Sequence, residues 1–205
     1  MREMEEKEIR NLPFQSDFGV RSQTVEGKEI NTLYGSIQYN KESVIMRDMW
    51  GDEFVEEISL GAFDESIRNN TIKALWNHDT SKVLGSTKSG TLRINIYNEQ
   101  IGFENDLPNN TWGNDAKESV NRGDVDGVSF GFFVKEQRWS KVEKDGKEIY
   151  KRSILKGEVV EFSPTGFPAY PVNSVNCRSL EQFKKEEKGN LETRKQKIKL
   201  ELELL

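Results

Sequence analysis

The chain has 205 residues, of which 34% are hydrophobic and 32% are charged, so it fits one domain of common size with a solvated appendage. Its formal net charge of -5 disfavours binding of a phosphate backbone by the whole surface, and we expect no nucleic-acid partner. With one cysteine, Cys177, and one histidine, His78, neither an internal disulfide framework nor the usual zinc ligand sets can form in one chain. We therefore expect no metal and no cofactor.

The chain contains no apolar run that approaches 18 residues, and its first ten residues are charged where a signal peptide would be apolar. These features predict a protein of a reducing compartment without a membrane segment. Residues 1–22 are charged or polar without a period, and we interpret them as an arm. Residues 23–179 form the predicted folded domain. Residues 180–205 are rich in Lys and Glu with scattered leucines, which is typical of a partly helical tail or an assembly segment.

Within the domain the pattern predicts short strands separated by turns, together with two helices. The predicted strands cover residues 33–39, 54–60, 72–76, 84–86, 91–97 and 101–106. The predicted helices cover residues 64–68 and 114–122, the second with Asn114 as its N-terminal cap and Gly123 at its C-terminal stop. An α+β class follows from this mixture.

The only histidine, His78, follows the predicted strand 72–76, so a loop at the strand end can present it. Histidine has an unperturbed pKa near neutrality, which makes it the usual general base for activating a serine or a cysteine. Any imidazole chemistry of this chain belongs to this one residue.

Residues 126–134 form a strong predicted strand that contains Ser129. One face of it carries Val128, Phe130, Phe132 and Val134, and the other carries Gly127, Ser129, Gly131 and Phe133. Glycine inside a strand often marks the close approach of another backbone. A substrate strand could be that backbone.

The turn at residues 144–147 and the segment 149–155 predict a hairpin, and residues 157–163 predict a further strand. On that strand Val159, Glu161 and Ser163 share a face opposite Val160 and Phe162. A buried carboxylate is costly when it is unpaired, so Glu161 needs a partner or water. Residues 164–171 predict an irregular proline-containing loop.

His78, Ser129 and Glu161 are therefore three candidates for one site. A serine hydroxyl is activated by a base within hydrogen-bond reach, and a third group, often a carboxylate, holds that base in its tautomer. Asp79, next to His78, and Asp126, near Ser129, remain alternatives for the third group.

Four segments together resemble, in this order, the prohead maturation proteases of tailed bacteriophages. The segments are residues 75–79, 128–132, 160–163 and 167–171, and Gly61-Ala62-Phe63 and Arg178-Ser179 fit the same pattern. The resemblance spans roughly residues 33–179. It implies a fold similar to the herpesvirus assembly proteases, a mostly antiparallel β-barrel core with flanking helices.

The same resemblance implies a serine endopeptidase that acts inside the immature capsid in the host cytoplasm. Its expected partners are the major capsid protein with its scaffolding segment, or a scaffold protein, and it is expected to cut itself as well. A homodimer is possible by analogy. The tail after Ser179 is a candidate for targeting the enzyme into the shell and for later removal by self-cleavage.

By this resemblance Ser129 is the nucleophile, His78 is the general base and then the general acid, and Glu161 is the third member. The herpesvirus enzymes use a second histidine as the third member, and this chain has none. A carboxylate or water must serve instead. Backbone N–H groups around Gly127 and Gly131 are candidates for the oxyanion hole.

Two other functions compete with this one. A non-catalytic capsid assembly or scaffolding protein would explain the charged tail and the acidic balance. A general hydrolase of small esters is disfavoured because an α/β-hydrolase needs strands that alternate with helices, and that alternation is absent from the pattern.

Overall fold

The computed structural model describes residues 7–12, 18–48, 50–166 and 177–203. The chain divides into two compact units, Met1–Ser174 and Val175–Leu205. The domain bounds predicted above stay a prediction.

In chain order the elements are the strands β1 (Glu8–Leu12), β2 (Gly19–Val25), β3 (Lys28–Gln38), β4 (Met46–Arg47) and β5 (Glu53–Ile58), the helix α1 (Asp64–Asn69), the strands β6 (Lys73–Trp76), β7 (Asp79–Ser86), β8 (Leu92–Ile96) and β9 (Gln100–Asp106), the helix α2 (Thr111–Arg122), the strands β10 (Gly127–Lys144) and β11 (Lys147–Thr165), and the helix α3 (Cys177–Glu203). The predicted strands and helices of the domain therefore have counterparts. The segment 1–22, which we interpreted as an arm, contributes β1 and the start of β2.

The strands of the first unit form two sheets. The larger sheet has the order β1-β10-β11-β5-β4, and β6 pairs with β11 on one side and with β7 on the other. The smaller sheet has the order β2-β3-β9-β8. Among the described pairings, those of β11 with β5 and with β6 are parallel and the rest are antiparallel.

The predicted α+β class with mostly antiparallel strands is thus confirmed, but the predicted closed barrel is not. Among the described residues each sheet ends in open edges, so these pairings do not close on themselves. The parallel pairing of β11 with two strands is also a departure from a simple antiparallel meander. Sequence periodicity indicates where strands are, whereas closure depends on the pairing of their distant edges.

The predicted inward face of β10 forms part of the core. Val128, Phe130 and Phe132 are fully buried, and both phenylalanine rings meet Phe63 edge to face. Because side chains alternate along a strand, Ser129 and Gly131 lie on the opposite face. The core therefore fixes which way the predicted nucleophile points.

One predicted face on β11 is wrong, and a β-bulge is the reason. The register pairs Glu161 with Gly131 but Val159 with Phe132, so Val160 is an extra residue on β11. Val159 consequently joins the same core cluster as Phe162, rather than sharing a face with Glu161. Bulges are frequent beside active sites because they re-aim side chains.

The second helix begins earlier than predicted. Asn110, not Asn114, is its N-terminal cap, and its side chain accepts a hydrogen bond from the backbone N–H of Gly113 at 2.9 Å. Asn114 lies inside the helix instead. The predicted stop is confirmed, since Gly123 follows the helix with a φ of 78°.

The predicted loop 164–171 begins differently from expectation. Pro164 and Thr165 are the last residues of β11, and residues 167–171 lie outside the described residues. In the second unit, α3 runs through the Lys- and Glu-rich segment with Leu191, Ile198, Leu200 and Leu202 exposed. Among the described residues, no helix is long and apolar enough to cross a membrane.

Candidate active site

His78 occupies the second position of a two-residue hairpin loop between β6 and β7. The register pairs Trp76 with Asp79, and the two loop residues, Asn77 and His78, have φ values of 51° and 61°. Two successive positive φ angles are the requirement of a type I′ turn, which favours Asn at its first position. The prediction that a loop at the strand end presents His78 is confirmed.

The end of β11 holds this turn in place. The backbone N–H of Asn77 donates to the carbonyl of Pro164 at 3.1 Å, and the hydroxyl of Thr165 donates to the Asn77 side-chain oxygen at 2.8 Å. A histidine with positive φ carries strain of about 1 to 3 kcal/mol, and such strain persists only when the surroundings support it. The contacts from β11 provide that support and fix the imidazole beside the same strand that carries Glu161.

Glu161 is 2% exposed and lies at the centre of a polar cluster. Its Oε1 is 2.7 Å from Nδ1 of His78 and 2.7 Å from Nζ of Lys7. Its Oε2 accepts a hydrogen bond from the hydroxyl of Ser163 at 2.5 Å. The buried carboxylate therefore has three polar partners.

These contacts keep the carboxylate ionised. Burial alone would raise the pKa of Glu161, but the hydrogen bonds and charges of His78, Lys7 and Ser163 outweigh it and lower that pKa. An ionised carboxylate accepts hydrogen bonds and donates none, so Nδ1 of His78 carries the shared hydrogen. In the neutral imidazole this leaves Nε2 as the basic nitrogen.

Ser129 lies on β10, the neighbour of β11. It is opposite Ser163 in the register, and Gly131 is opposite Glu161, so Ser129 and Glu161 are diagonal neighbours across the two strands. The serine is fully buried, and its hydroxyl donates to the backbone carbonyl of Arg10 on β1 at 2.9 Å. The backbone of β1 therefore lies directly beside Ser129 in the sheet.

The remaining nitrogen of the imidazole has no such contact. Nε2 of His78 is buried, and among the described residues it has no hydrogen-bond partner. A buried polar atom without a partner is uncommon in a native protein and calls for a functional explanation. The hydroxyl of Ser129 does not fill this position, because it donates to the carbonyl of Arg10 instead.

The two alternatives for the third group do not contact the imidazole. The carboxylate of Asp79 accepts from the backbone N–H and hydroxyl of Ser81 and pairs with Lys82, and these contacts lower its pKa. Asp126 is exposed at the residue before β10. The geometry brings Glu161 to His78, and the catalytic roles of His78, Ser129 and Glu161 stay predictions.

Sequence reasoning missed two members of this cluster. Lys7 lies in a charged segment without a period, and no local signal marks it as a neighbour of Glu161. Ser163 was placed correctly on the Glu161 side of its strand, which is a signal that could have identified it as a hydrogen-bond donor. Asn77 is outside this cluster, but its residue type could have indicated the turn that presents His78, because Asn is favoured at the first position of such a turn.

The residues from Gly127 to Gly131 also spell the letters Gly-x-Ser-x-Gly, the pattern of the α/β-hydrolase elbow. In that elbow the serine lies on a sharp turn between a strand and a helix. Ser129 instead lies within β10 with ladder partners on both sides, Asn11 and Ser163. The letters therefore do not indicate an ester hydrolase of that fold.

Comparisons with known proteins support a protease rather than an ester hydrolase. No curated protein sequence matches the chain. Among solved structures, the capsid assembly protease gp21 of bacteriophage T4 is similar over 75% of this chain and 96% of its own, with a TM-score of 0.43 and 9% identity, a likeness too distant to carry an argument. The model of the caudovirus prohead serine proteases matches residues 16–186, a span that includes His78, Ser129 and Glu161. The chain therefore belongs to the caudovirus prohead serine protease family.

Proposed function

We propose that this serine protease cleaves the scaffold protein, or the scaffolding segment of the major capsid protein, inside the immature capsid in the host cytoplasm, and that it also cleaves itself. His78, Ser129 and Glu161 form its catalytic triad. The observation that carries the proposal is the pairing of the only histidine with a buried carboxylate at 2.7 Å, which leaves its second nitrogen without a partner among the described residues.

The reaction is acyl transfer. Nε2 of His78 takes the hydroxyl proton of Ser129 as the serine oxygen attacks the scissile carbonyl carbon, and the imidazolium then protonates the leaving amine. Glu161 stabilises the imidazolium through Nδ1 and stays ionised throughout. Water releases the acyl group from Ser129 by the same steps, with His78 again as base. Backbone N–H groups around Gly127 and Gly131 are the proposed oxyanion donors.

Intact mass after co-expression with the capsid protein tests this function. We expect both chains to be truncated with the wild type and to remain full length with Ser129→Ala. Ser140→Ala is the matched control, since Ser140 lies on the same strand at a distance from the site and should leave processing unchanged. Identical masses for wild type and Ser129→Ala would favour the non-catalytic assembly protein instead.

A further inference from the structure

We propose that Thr165 is a positioning residue of this enzyme, which acts through the side chain of Asn77 to hold the imidazole of His78 in its reactive place. The inference rests on the proposed function, because it concerns the general base of the same reaction. Three observations carry it: the irregular hairpin that presents the base, the polar face of β11 beside that hairpin, and the small residues opposite this face.

The hairpin of β6 and β7 by itself determines the place of the imidazole poorly. Its ladder is irregular just before the turn, with register shifts between Ala74 and Leu75 and between Leu75 and Trp76. The turn residues Asn77 and His78 both have positive φ angles, which residues other than glycine keep only where the surroundings support them. Contacts from outside the hairpin must therefore fix the ring.

β11 provides these contacts from one face. Glu161, Ser163 and Thr165 occupy alternate positions of the strand, so their side chains share a face, and all three are buried. The carboxylate of Glu161 contacts the imidazole of His78, and the hydroxyl of Ser163 donates to that carboxylate. The hydroxyl of Thr165 donates to Oδ1 of Asn77 at 2.8 Å. The same face therefore reaches both the ring and the residue that precedes it.

The strand opposite this face carries small residues at each facing position. Against Thr165, Ser163 and Glu161 in turn, they are Gly127, Ser129 and Gly131. At Gly131 the polar side chain uses the space, since a Cβ there would lie 2.5 Å from Oε1 of Glu161. Small facing residues leave the polar side chains of β11 without bulky cross-strand neighbours. The pattern around the proposed nucleophile thus also makes room for the face that positions the base.

Two neighbouring residues of β11 hold Asn77 at two different atoms. Its backbone N–H donates to the carbonyl of Pro164 at 3.1 Å, and its side chain accepts from the hydroxyl of Thr165. The first bond requires no particular side chain, whereas the second requires a hydroxyl at residue 165. One hydrogen bond would let Asn77 rotate about it, and two fix its orientation. Because Asn77 directly precedes His78, that orientation sets where the ring lies relative to Glu161.

Replacement of Thr165 tests the proposal in the full-length protein. Thr165→Val keeps the shape of the side chain and removes the hydroxyl, and the readout is the rate at which a fluorophosphonate modifies Ser129, followed by intact mass. We expect a rate about fivefold lower, the factor that one hydrogen bond of ordinary net strength represents. Thr165→Ser keeps the hydroxyl and should restore most of the rate. A parental rate in the valine variant, or no rescue by serine, would overturn the proposal.

Thr32→Val is the matched control for the loss of a buried hydroxyl. Thr32 lies on β3 in the smaller sheet, is fully buried, and donates to Oδ1 of Asp106 at the same distance of 2.8 Å. The two valine variants should lower the midpoint of urea unfolding by similar amounts, but Thr32→Val should leave the modification rate unchanged. An equal loss of rate in both would assign the effect to general destabilisation and would count against Thr165.

A double-mutant cycle with Asn77→Gly tests whether Thr165 acts through Asn77. Glycine adopts positive φ readily and lacks the acceptor oxygen, so this variant keeps the turn and removes the partner of the Thr165 hydroxyl. In the Asn77→Gly background, Thr165→Val should lower the rate by less than about twofold, because the interaction is already gone. A full fivefold loss in that background would show that Thr165 does not act through Asn77.

Failure of the proposed function has a different signature. If the wild type is not modified at Ser129, or if His78→Ala is modified as fast as the wild type, the catalytic assignment itself is wrong. If modification requires His78 but is unchanged by Thr165→Val, the triad stands and the positioning role of Thr165 falls.

Discussion

Two charged clusters, each centred on buried carboxylates, lie at the larger sheet, and they differ in completeness. The first, which we name the ion network, consists of Glu8, Arg10, Glu56 and Arg152. The second, which we name the catalytic cluster, consists of Lys7, His78, Ser129, Glu161 and Ser163. In the network each charged group pairs with an opposite charge at 2.5 to 2.9 Å. In the cluster the carboxylate is saturated, but Nε2 of His78 has no partner among the described residues.

The difference separates a structural cluster from a reactive one. Burial opposes the charged forms in both clusters, yet the opposite charges lower the pKa of Glu56 as His78, Lys7 and Ser163 lower that of Glu161. What distinguishes the catalytic cluster is one buried atom without a described hydrogen-bond partner, Nε2 of His78, rather than a shifted pKa. Changes in the network should therefore act on stability, and changes in the cluster should act on rate.

The largest expected effect is on rate. Ser129→Ala should lower proteolysis by about a thousandfold or more, because it removes the nucleophile. The midpoint of denaturant unfolding should change by little, because one hydroxyl and its hydrogen bond to Arg10 are lost. Measuring both capsid-protein cleavage and urea unfolding separates the effect on rate from the effect on stability. Retained proteolysis would contradict the assignment of Ser129 as the nucleophile.

Breaking the ion network should have the largest effect on stability. Arg152→Met removes the partner of Glu8 and Glu56 and leaves buried carboxylates undercompensated, which costs about 3 to 5 kcal/mol. Urea unfolding monitored by tryptophan fluorescence measures this loss. A destabilisation below about 1 kcal/mol would show that the network contributes little to the stability of the fold.

Glu161→Gln should act mainly on the rate of proteolysis. The amide keeps the size of the side chain but cannot stabilise an imidazolium, so we expect a loss of about a hundredfold or more in kcat/KM. Asp79→Asn is the matched control, since Asp79 has partners of its own and no described contact with His78. Equal losses in the two variants would contradict the choice of Glu161 as the third member.

Only part of the fold and of the candidate site could be predicted from the sequence. The alternation along β10 predicted its core face, because Val128, Phe130 and Phe132 recur at every second position and are all buried. The loop position of His78 was also readable from the chain. Residue spacing left Asp79 open as an alternative to Glu161, since His78 and Glu161 are 83 residues apart, and the family resemblance was what favoured Glu161.

The strand β1 and the face of Val159 were still harder to predict from the sequence. β1 is a charged segment whose strand state depends on a partner more than a hundred residues away, so it has no local period to reveal it. The bulge at Val160 depends on the register between β10 and β11, and one extra residue changes which side chains share a face.

The pH dependence of the free energy of unfolding should be a smaller effect than the losses of rate and of stability predicted above. The pKa of Glu161 is lowered in the folded chain, so its ionised form contributes stability that is fully present above the ordinary glutamate value of 4.5. That contribution is lost as the pH falls from 4.5 through the lowered folded pKa, by about 1.4 kcal/mol for each unit of lowering. Urea unfolding of wild type and Glu161→Gln from pH 7 to pH 3 measures it. The difference in free energy should shrink only at the acid end, and a difference that grows there would have the wrong sign.

The smallest effect should come from Ser163. Ser163→Ala removes the donor to Oε2 of Glu161 and should lower kcat/KM by about five- to tenfold through poorer positioning of that carboxylate. Ser163→Thr, which keeps the hydroxyl, should restore most of the rate. Failure of the threonine variant to rescue would assign the loss to packing.

The most direct test of the catalytic assignment is the location and rate of fluorophosphonate modification in the full-length protein. We predict one adduct per chain, mapped to Ser129 by peptide mass, with a rate that falls at least a hundredfold in His78→Ala because the base is gone. An adduct on another serine, or an unchanged rate without His78, would contradict the triad.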